Sequence, residues 1–466
     1  MSDYNRRTFL KLTGAVSVGT LGAGQVTAQE ADSRFFINLR DVERGAVPDD
    51  IEIVHDLSQA DVLVARGDQS RVDGTTVSDI TLNLSDDTTG AVASRDGPSL
   101  DGEGASHNHD GAPKNSEYQW DKRVQNVSDE LTDQPENERS IHDTTTGEGT
   151  RVAVVDTGVD DSHPDLADVV NDDLSENVSE DRFDWRPNGA GSHGTHVAGI
   201  IAATNSNDGP DGGVLGTAPD TEIVSYRMFS GVEGKQGDGY AGWVKAAEAG
   251  CDAINYSVGF PAPYVYPEDY PFLIEELRIA EQVAEYVRSQ GTVIVNSAGN
   301  DGLDMTPEST LSLPTEAEGV FGVSATGPIG CGWGDKHSDN EEKWLSGDRL
   351  EEPTTQPAFY TNYGSAVDIS ASGGNADLEA FNAGVEGAAQ DLVYSTIPGG
   401  YGWKAGTSMA APQVSGAVAL IRSLRPDASV EEVEQLLTDT ASMPEEGETY
   451  HGAGHLDLEA LVKAAQ

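Results

Sequence analysis

The sequence predicts an α/β fold of three layers, α/β/α, with a mainly parallel central sheet, preceded by a small α+β unit. Three observations predict it. From about Tyr118 onward, apolar runs rich in β-branched residues alternate with segments of helical period. The apolar runs lack polar alternation, which is typical of parallel strands covered by helices on both faces. Before them, short strand-like runs separated by Asp, Gly and Ser lie within residues 33–88 and predict the smaller unit.

The elements of the larger part follow in a regular order. The predicted strands are the runs TRVAVVD (150–156), DTEIVSYRMF (220–229), CDAINYSVGF (251–260), GTVIVNSAGN (291–300) and GVFGVSA (319–325). The predicted helices are SHGTHVAGIIAAT (192–204), ELRIAEQVAEYVRSQ (276–290), the segment from Ser408 to Leu424, and SVEEVEQLLTDTAS (429–442). The sequence contains no internal repeat. It therefore predicts one large unit, long enough for a catalytic domain, after the small one.

The first 28 residues have the features of a removable export signal. Twin arginines, Arg6 and Arg7, precede a modest apolar run that ends at the small-residue site 26–28. The run is too short and too rich in glycine to span a bilayer. It is similar to a twin-arginine signal, which implies secretion of a folded protein. We therefore expect a protein without a membrane anchor.

The charge balance is extreme. The chain has 80 acidic and 28 basic residues, a formal net charge of −52, and the acids are scattered along its whole length. This pattern favours a carboxylate-covered surface whose self-repulsion is screened by salt. We interpret it as adaptation to strong brine. Nucleic acid is excluded as a partner, because its phosphates would be repelled.

Cysteine usage does not define a redox framework. The two cysteines, Cys251 and Cys331, are too few for a disulfide scaffold. A single disulfide and two free buried thiols both remain open.

The stretch GTSMAAP (406–412) begins a segment whose apolar residues recur with helical spacing, which predicts a buried helix. Two interpretations of Ser408 compete. Serine is among the best residues for capping the free amides of a helix. A serine at a helix start is also placed where developing negative charge is stabilised, as a nucleophile requires.

Three other stretches supply the partners that a nucleophile needs. Asp156 follows a buried strand in VAVVDTG, His193 begins a helix in GSHGTHVAG, and Asn300 ends a strand in VIVNSAGN. In the order Asp, His, Ser, together with GTSMAAP, they resemble the subtilisin-like serine proteases, the subtilase family, of a halophilic archaeal type. The resemblance covers roughly residues 118–466.

The resemblance implies a serine endopeptidase acting on polypeptides through an acyl-enzyme. Asp156 would orient His193, His193 would serve as general base, and Ser408 would attack the scissile carbonyl. Asn300 and the Ser408 backbone N–H would bind the oxyanion. No catalytic metal is implied, and we expect a monomer.

The resemblance also assigns an organisation and a substrate edge. Residues 29–105 would be a propeptide that assists folding and inhibits the enzyme, 106–117 a linker containing the maturation site, and 118–466 the peptidase domain. The substrate-binding backbone would be formed by Ser257, Val258 and Gly259 on one side and by Ser297, Ala298 and Gly299 on the other.

Structural calcium is a further expectation. Asp165 matches a position that ligates calcium in many relatives, and the loop 204–214 supplies Asn207 and Asp208 as hard oxygen donors. The alternative interpretation of this loop, a polar surface turn, stays open.

Two rival functions can be weighed on the same residues. His196, three residues after His193, would suit a zinc peptidase, but neither a His-Glu-x-x-His motif nor a third ligand is present in the sequence. A catalytically silent member of the fold is disfavoured by the complete set of four catalytic groups. Departures from the family pattern are Gln413, where many relatives carry His, and the acidic insertions 333–357 and 373–390.

Overall fold

The structure, a computed structural model, describes residues 33–83, 115–129, 131, 139–189, 191–209, 212–259, 271–307, 310–329, 353–376 and 388–466. The predicted signal 1–28, nearly all of the predicted linker, Cys331 and most of the two acidic insertions lie outside the described residues. Cys251 is buried, and desolvation raises the pKa of its thiol to about 12, so this thiol stays neutral.

The described chain contains sixteen strands and eight α-helices. The strands are β1 Ser33–Asn38, β2 Glu52–Leu57, β3 Val62–Gly67, β4 Thr76–Ser78, β5 Thr81–Asn83, β6 Arg151–Asp156, β7 Glu176–Asn177, β8 Glu222–Arg227, β9 Phe229–Ser230, β10 Glu233–Lys235, β11 Ala253–Tyr256, β12 Val293–Ser297, β13 Val320–Thr326, β14 Ile369–Ser372, β15 Val393–Ile397 and β16 Gly400–Lys404. The helices are α1 Trp120–Arg123, α2 His193–Ala202, α3 Gln236–Glu248, α4 Pro271–Ser289, α5 Thr407–Leu424, α6 Val430–Thr440, α7 Glu448–His451 and α8 Leu458–Ala465.

The central sheet is parallel throughout its seven strands, in the order β14-β13-β12-β11-β6-β8-β7. Its two faces bury different cores. On β6, Val152 and Val154 belong to the core shared with α2 and α5, whereas Ala153 and Val155 belong to the core shared with α3 and α4. Because successive side chains of a strand point to opposite faces, this alternation gives a helix layer on each side of the sheet. The predicted three-layer α/β/α architecture is confirmed.

The N-terminal unit is an antiparallel sheet in the order β2-β3-β1-β4. The predicted strands are present, but the helical segments described within residues 33–83 are only three-residue 3-10 turns. The physical reason lies in the packing. One face of this sheet joins the core of α3 and α4 through Phe36, Val62 and Val64, so helices of the larger unit supply its covering layer.

Strand β5 follows β4 in the chain but belongs to a different sheet, in which it pairs with a strand of the larger unit. Residues Thr81–Asn83 run antiparallel to β10, Glu233–Lys235, with Leu82 opposite Gly234 and fully buried. Strand β10 leads directly into α3, whose first residue, Gln236, accepts a hydrogen bond from the Tyr256 hydroxyl at the end of β11. Strand β5 is therefore bound at the edge of the sheet where β6 and β11 also end.

The last elements close the open edge of the sheet. Two residues of β14 form isolated bridges with the segment that precedes α8, Ile369 with Gly452 and Ser370 with His455. The Ser370 hydroxyl lies 2.7 Å from His451 Nδ1. Helix α6 begins with a capping box: the Ser429 hydroxyl accepts from the Glu432 amide, and the Glu432 carboxylate accepts from the Ser429 amide. None of the helices in the described ranges combines the length and apolar character needed to cross a bilayer.

Candidate active site

Asp156 is the last residue of β6 and is fully buried. Its carboxylate accepts a hydrogen bond from the Thr157 amide at 2.7 Å. The two carboxylate oxygens lie 2.8 and 3.0 Å from His193 Nδ1. Since an ionised carboxylate only accepts, the proton of this contact sits on Nδ1, and Nε2 is left with its lone pair.

His193 is the first residue of α2, and its position depends on the glycine that follows it. A Cβ atom on Gly194 would lie 2.5 Å from the Gly158 carbonyl oxygen and 3.2 Å from Asp156. Any larger residue would therefore separate the start of α2 from the end of β6. His193 is 2% exposed, and its Nε2 has no hydrogen-bond partner among the described residues. This nitrogen is available to accept a proton.

Ser408 lies in the first turn of α5, and it is not the cap of that helix. The helix begins at Thr407, with Gly406 as the preceding residue and no side-chain cap. The Ser408 hydroxyl donates to the Ser257 carbonyl at 3.3 Å. Helices α2 and α5 pack against each other, but the described residues include no hydrogen bond between Ser408 and His193. Hydrogen bonds of this kind often form only in the substrate complex.

The predicted oxyanion donors surround one point. The side-chain oxygen of Asn300, Oδ1, accepts hydrogen bonds from both the amide and the hydroxyl of Thr407, each at 2.9 Å. The side-chain nitrogen, Nδ2, is therefore left to donate elsewhere. A Cβ atom on Gly406 would lie 3.5 Å from Asn300 Nδ2 and 3.5 Å from the Ser408 amide nitrogen. The absence of a side chain at Gly406 leaves this place open between two N–H donors.

The predicted substrate-binding residues follow the ends of two neighbouring strands. Ser257–Gly259 come directly after β11, and Ser297–Gly299 end and follow β12, its parallel neighbour. Gly299 has a φ of 102°, which favours glycine, and its amide donates to the Thr407 hydroxyl at 3.1 Å. A Cβ on Gly259 would lie 3.7 Å from the Leu313 carbonyl oxygen. The structure thus brings both stretches to the sheet edge that carries Asp156.

His196 binds the protein backbone. His196 is fully buried, and its Nε2 donates to the Gly402 carbonyl at 3.1 Å. Burial lowers the pKa of this imidazole well below its ordinary value, so it is neutral. Within the described ranges, no three His, Cys, Asp or Glu side chains are grouped as metal ligands. His196 packs beneath the site.

Of the three predicted calcium ligands, the structure brings two together. Asp165 is fully buried and accepts a hydrogen bond from the Asn207 amide at 2.9 Å. Asp208 is exposed. The predicted ligand set is therefore incomplete at this place.

Sequence reasoning missed the residues that hold the site from behind. The Lys122 ammonium of α1 is buried and donates to the Ile200 carbonyl of α2 at 3.0 Å and to Gln413 of α5. Gln413 in turn donates to Asp121 at 2.7 Å. The departure at Gln413 was visible in the sequence, but its partners are about 290 positions away and no local pattern signals them.

Comparison with known proteins identifies the family. The Peptidase_S8 model, described as the subtilase family, matches residues 147–458, which is more than half of the chain. The chain belongs to the subtilase family.

Individual relatives agree with this assignment. Subtilisin NAT of Bacillus subtilis subsp. natto is 30% identical over 325 residues, which are 68% of this subtilase and 67% of that protein. A thermophilic serine proteinase of Bacillus sp. strain AK1 is 32% identical over 279 residues, 59% of this chain and 52% of that protein. This subtilase is therefore a hydrolase of the serine endopeptidase class.

Solved structures agree as well. A protease from Pseudoalteromonas arctica PAMC 21717 matches with a TM-score of 0.57 at 26% identity, covering 76% of this subtilase and 99% of that chain. The epidermin leader peptide processing protease of Staphylococcus aureus matches with a TM-score of 0.68 at 19% identity, covering 94% and 99%. The second likeness concerns the fold alone.

Proposed function

We propose that this subtilase is a secreted proenzyme, adapted to high salt, that cleaves peptide bonds with Asp156, His193 and Ser408. The observation that carries the proposal is the contact of 2.8 Å between Asp156 and His193 Nδ1, at a buried site that also contains Ser408. An imidazole oriented in this way presents a basic nitrogen for the nucleophile's proton.

The reaction follows from the roles of these atoms. His193 Nε2 takes the hydroxyl proton as Ser408 Oγ attacks the scissile carbonyl, and Asp156 stabilises the imidazolium. The carbonyl oxygen, now negative, accepts hydrogen bonds from Asn300 Nδ2 and the Ser408 amide. His193 then returns the proton to the leaving amine, and water hydrolyses the acyl-enzyme by the same steps in reverse order.

The proposed propeptide is the N-terminal unit, and buried ion pairs support its docking. The Arg34 guanidinium of β1 lies 2.7 Å from Asp238 of α3 and 2.8 Å from Glu180. His55 Nε2 lies 2.8 Å from Asp238 as well. The amides of Asn38 and Gln282 donate to each other at 2.7 and 3.2 Å. Such paired, buried contacts suit a unit that stays bound until it is removed.

The central test replaces the nucleophile. The Ser408→Ala chain is expected to lose peptide hydrolysis and labelling by a serine-directed phosphonate, and to keep its N-terminal unit uncut. Ser423→Ala is the matched control, because Ser423 is in the last turn of the same helix, where its hydroxyl contacts the Leu420 carbonyl and the Thr145 hydroxyl and no predicted catalytic group. Hydrolysis by Ser408→Ala at the rate of the control would refute the assignment.

Export is proposed to use the twin arginines Arg6 and Arg7. A relative from Xanthomonas campestris is named an extracellular protease, which supports secretion. Replacing both arginines with lysine keeps the charge and is expected to retain the protein inside the cell. Unchanged amounts of enzyme in the medium would contradict this route.

A further inference from the structure

Asp165 is a buried carboxylate outside the catalytic site that the proposed mechanism does not use. It is fully buried, and it contacts both ends of the loop that residues 204–209 and 212–214 describe. The Thr204 amide donates to its backbone carbonyl at 3.0 Å. An isolated buried negative charge is costly, so its partners decide what the loop requires.

Protein donors surround this carboxylate. Oδ1 accepts from the Asn207 amide at 2.9 Å. Oδ2 accepts from the Val214 amide at 2.8 Å and from the Tyr401 hydroxyl at 2.8 Å. A Cβ on Gly213 would lie 2.4 Å from Oδ1, so the loop backbone approaches the carboxylate as closely as glycine permits. Hydrogen bonds from donors of this kind stabilise the ionised form.

These contacts do not fit a calcium site. A carboxylate has about four lone-pair positions, and three of those on Asp165 already face hydrogen atoms. Calcium takes six to eight oxygen ligands, which must point lone pairs at the ion. The Asn207 side-chain oxygen instead accepts from the Gly209 amide at 3.0 Å, and Asp208 is exposed. Within the described ranges Asp165 belongs to no group of three or more His, Cys, Asp or Glu side chains that could hold a metal ion.

Tyr401 connects this loop to another part of the fold. It lies on β16, accepts from the Asn207 side-chain amide at 2.9 Å and donates to Asp165. Its ring meets that of His163 edge to face, with centroids 5.0 Å apart. His163 Nε2 donates to the Gly400 carbonyl and Nδ1 accepts from the Asp165 amide, so His163 is neutral here. The positive ends that face Asp165 are therefore N–H and O–H groups.

We propose that the Tyr401 hydroxyl and the amides of Asn207 and Val214 hold the Asp165 carboxylate in place of a cation, so that residues 204–209 and 212–214 keep their positions without calcium. The arrangement joins the β15-β16 hairpin, the loop and Asp165 through one phenol. It replaces the expectation that Asp165, Asn207 and Asp208 bind a structural calcium ion.

The test measures thermal unfolding of the full-length chain in molar KCl, with either EDTA or CaCl2 added, in a Ser408→Ala background that prevents self-cleavage. The unfolding temperature is expected to be the same in both conditions to within about 1 °C. Tyr401→Phe removes the hydrogen bond to the Asp165 carboxylate and the one from the Asn207 side-chain amide. It is expected to lower the unfolding temperature by roughly 2–6 °C, equally in EDTA and in calcium.

Two control variants make the outcome specific to this loop. Asp208→Asn removes an exposed predicted ligand and is expected to change nothing. The proposal is overturned if calcium raises the unfolding temperature and Asp165→Asn abolishes that rise, or if calcium restores Tyr401→Phe. A calcium effect that persists in Asp165→Asn comes from another site and agrees with the proposal. If Tyr401→Phe does not fold, calorimetric titration of the parent chain with and without Asp165→Asn gives the same decision.

Discussion

Thr407 fixes the orientation of the amide that faces the oxyanion. Its hydroxyl accepts a hydrogen bond from the Gly299 amide at 3.1 Å and donates one to the side-chain oxygen of Asn300, Oδ1, at 2.9 Å. Because the oxygen of this side chain is held on one side, its nitrogen must point to the other. Replacing the Thr407 hydroxyl with a methyl group therefore removes one contact to Asn300 and one to Gly299, while the Thr407 amide still donates to Asn300 Oδ1.

At this scale we predict a separation between two conservative variants. Thr407→Val deletes two hydrogen bonds, the one to Asn300 Oδ1 and the one from the Gly299 amide. It is expected to lower kcat roughly tenfold to thirtyfold, since each net hydrogen bond contributes about 1 kcal/mol. Thr407→Ser keeps the hydroxyl and is expected to stay within a factor of about two. Steady-state kinetics on a peptide amide measures both, and equal losses in the two variants would show that packing, not the hydroxyl, matters here.

The residue scale also separates what the sequence predicts from what it hides. Asp156, His193, Ser408 and Asn300 were predicted because each follows a strand or starts a helix in a short motif whose neighbours are small. Tyr401 was not, because its partners, Asp165 and Asn207, are distant in sequence and a tyrosine in a hairpin has no local signature. The calcium expectation rested on a family resemblance at Asp165 and on oxygen-bearing residue types at Asn207 and Asp208. Neither shows whether the lone pairs of these oxygens are already used in hydrogen bonds.

Helix α1 is a short element that joins the two catalytic helices from behind. Its Lys122 side chain is 1% exposed and lies 3.5 Å from Asp121. The ammonium donates to the Thr217 hydroxyl at 2.8 Å as well as to α2 and α5. Burial lowers the pKa of Lys122 from 10.5 to about 8. The element is thus held by a charge that is costly to bury.

This pKa predicts how stability changes with alkaline pH. Between pH 8 and 10.5 the folded chain binds fewer protons at Lys122 than the unfolded chain, so the free energy of unfolding rises across this window. The rise is roughly 3 kcal/mol at 1.4 kcal/mol for each unit of pKa. Denaturant titrations at several pH values should show it in the parent chain and not in Lys122→Met. Parallel curves for the two chains would contradict the assignment.

The positions of the strands in the sequence were predicted better than which elements pack against one another. The apolar runs gave the central strands, because strands covered on both faces need continuous apolar sequence. The N-terminal unit was predicted from its strand-like runs, and the helical segments described within 33–83 are 3-10 turns. Its helical layer comes from α3 and α4, and such sharing of elements between distant segments has no trace in local periodicity.

For the whole molecule, charge is distributed in two different ways. In the described ranges, most acidic side chains are at least partly exposed. Arg34, 5% exposed in its side chain, lies instead between the carboxylates of Asp79 and Asp238. Desolvation raises the pKa of the fully buried Asp79 to about 6, against the effect of Arg34. The interface between the two units therefore depends on charges that salt screens weakly, while the surface depends on charges that salt screens strongly.

The surface predicts a requirement for salt. The unfolding temperature of the full chain, followed by circular dichroism, is expected to fall steadily as KCl is lowered from molar concentration, because repulsion within a net charge of −52 grows. An unfolding temperature that is constant down to dilute buffer would remove the inference of salt adaptation and leave the catalytic proposal intact.

The interface predicts a different outcome for the N-terminal unit. Arg34→Met keeps the apolar stem but leaves Asp79 and Asp238 without their cation, so the unit is expected to separate from the larger one after cleavage. Gel filtration of processed enzyme measures the bound fraction. Arg44→Met is the control, since Arg44 pairs with Asp56 within the unit at an exposed position. Equal retention in both variants would refute the role of Arg34.

The bond from the Ser408 hydroxyl to the Ser257 carbonyl also bears on which reagents the enzyme accepts. An extended peptide that donates its own N–H to that carbonyl is expected to weaken this bond of 3.3 Å, which favours rotation of the hydroxyl toward His193. A minimal acyl ester without such an N–H leaves the hydrogen bond between the Ser408 hydroxyl and the Ser257 carbonyl intact. Of two chromogenic esters that differ only in this N–H, the one that carries it should therefore acylate Ser408 much faster. Binding of the substrate backbone would then place the nucleophile.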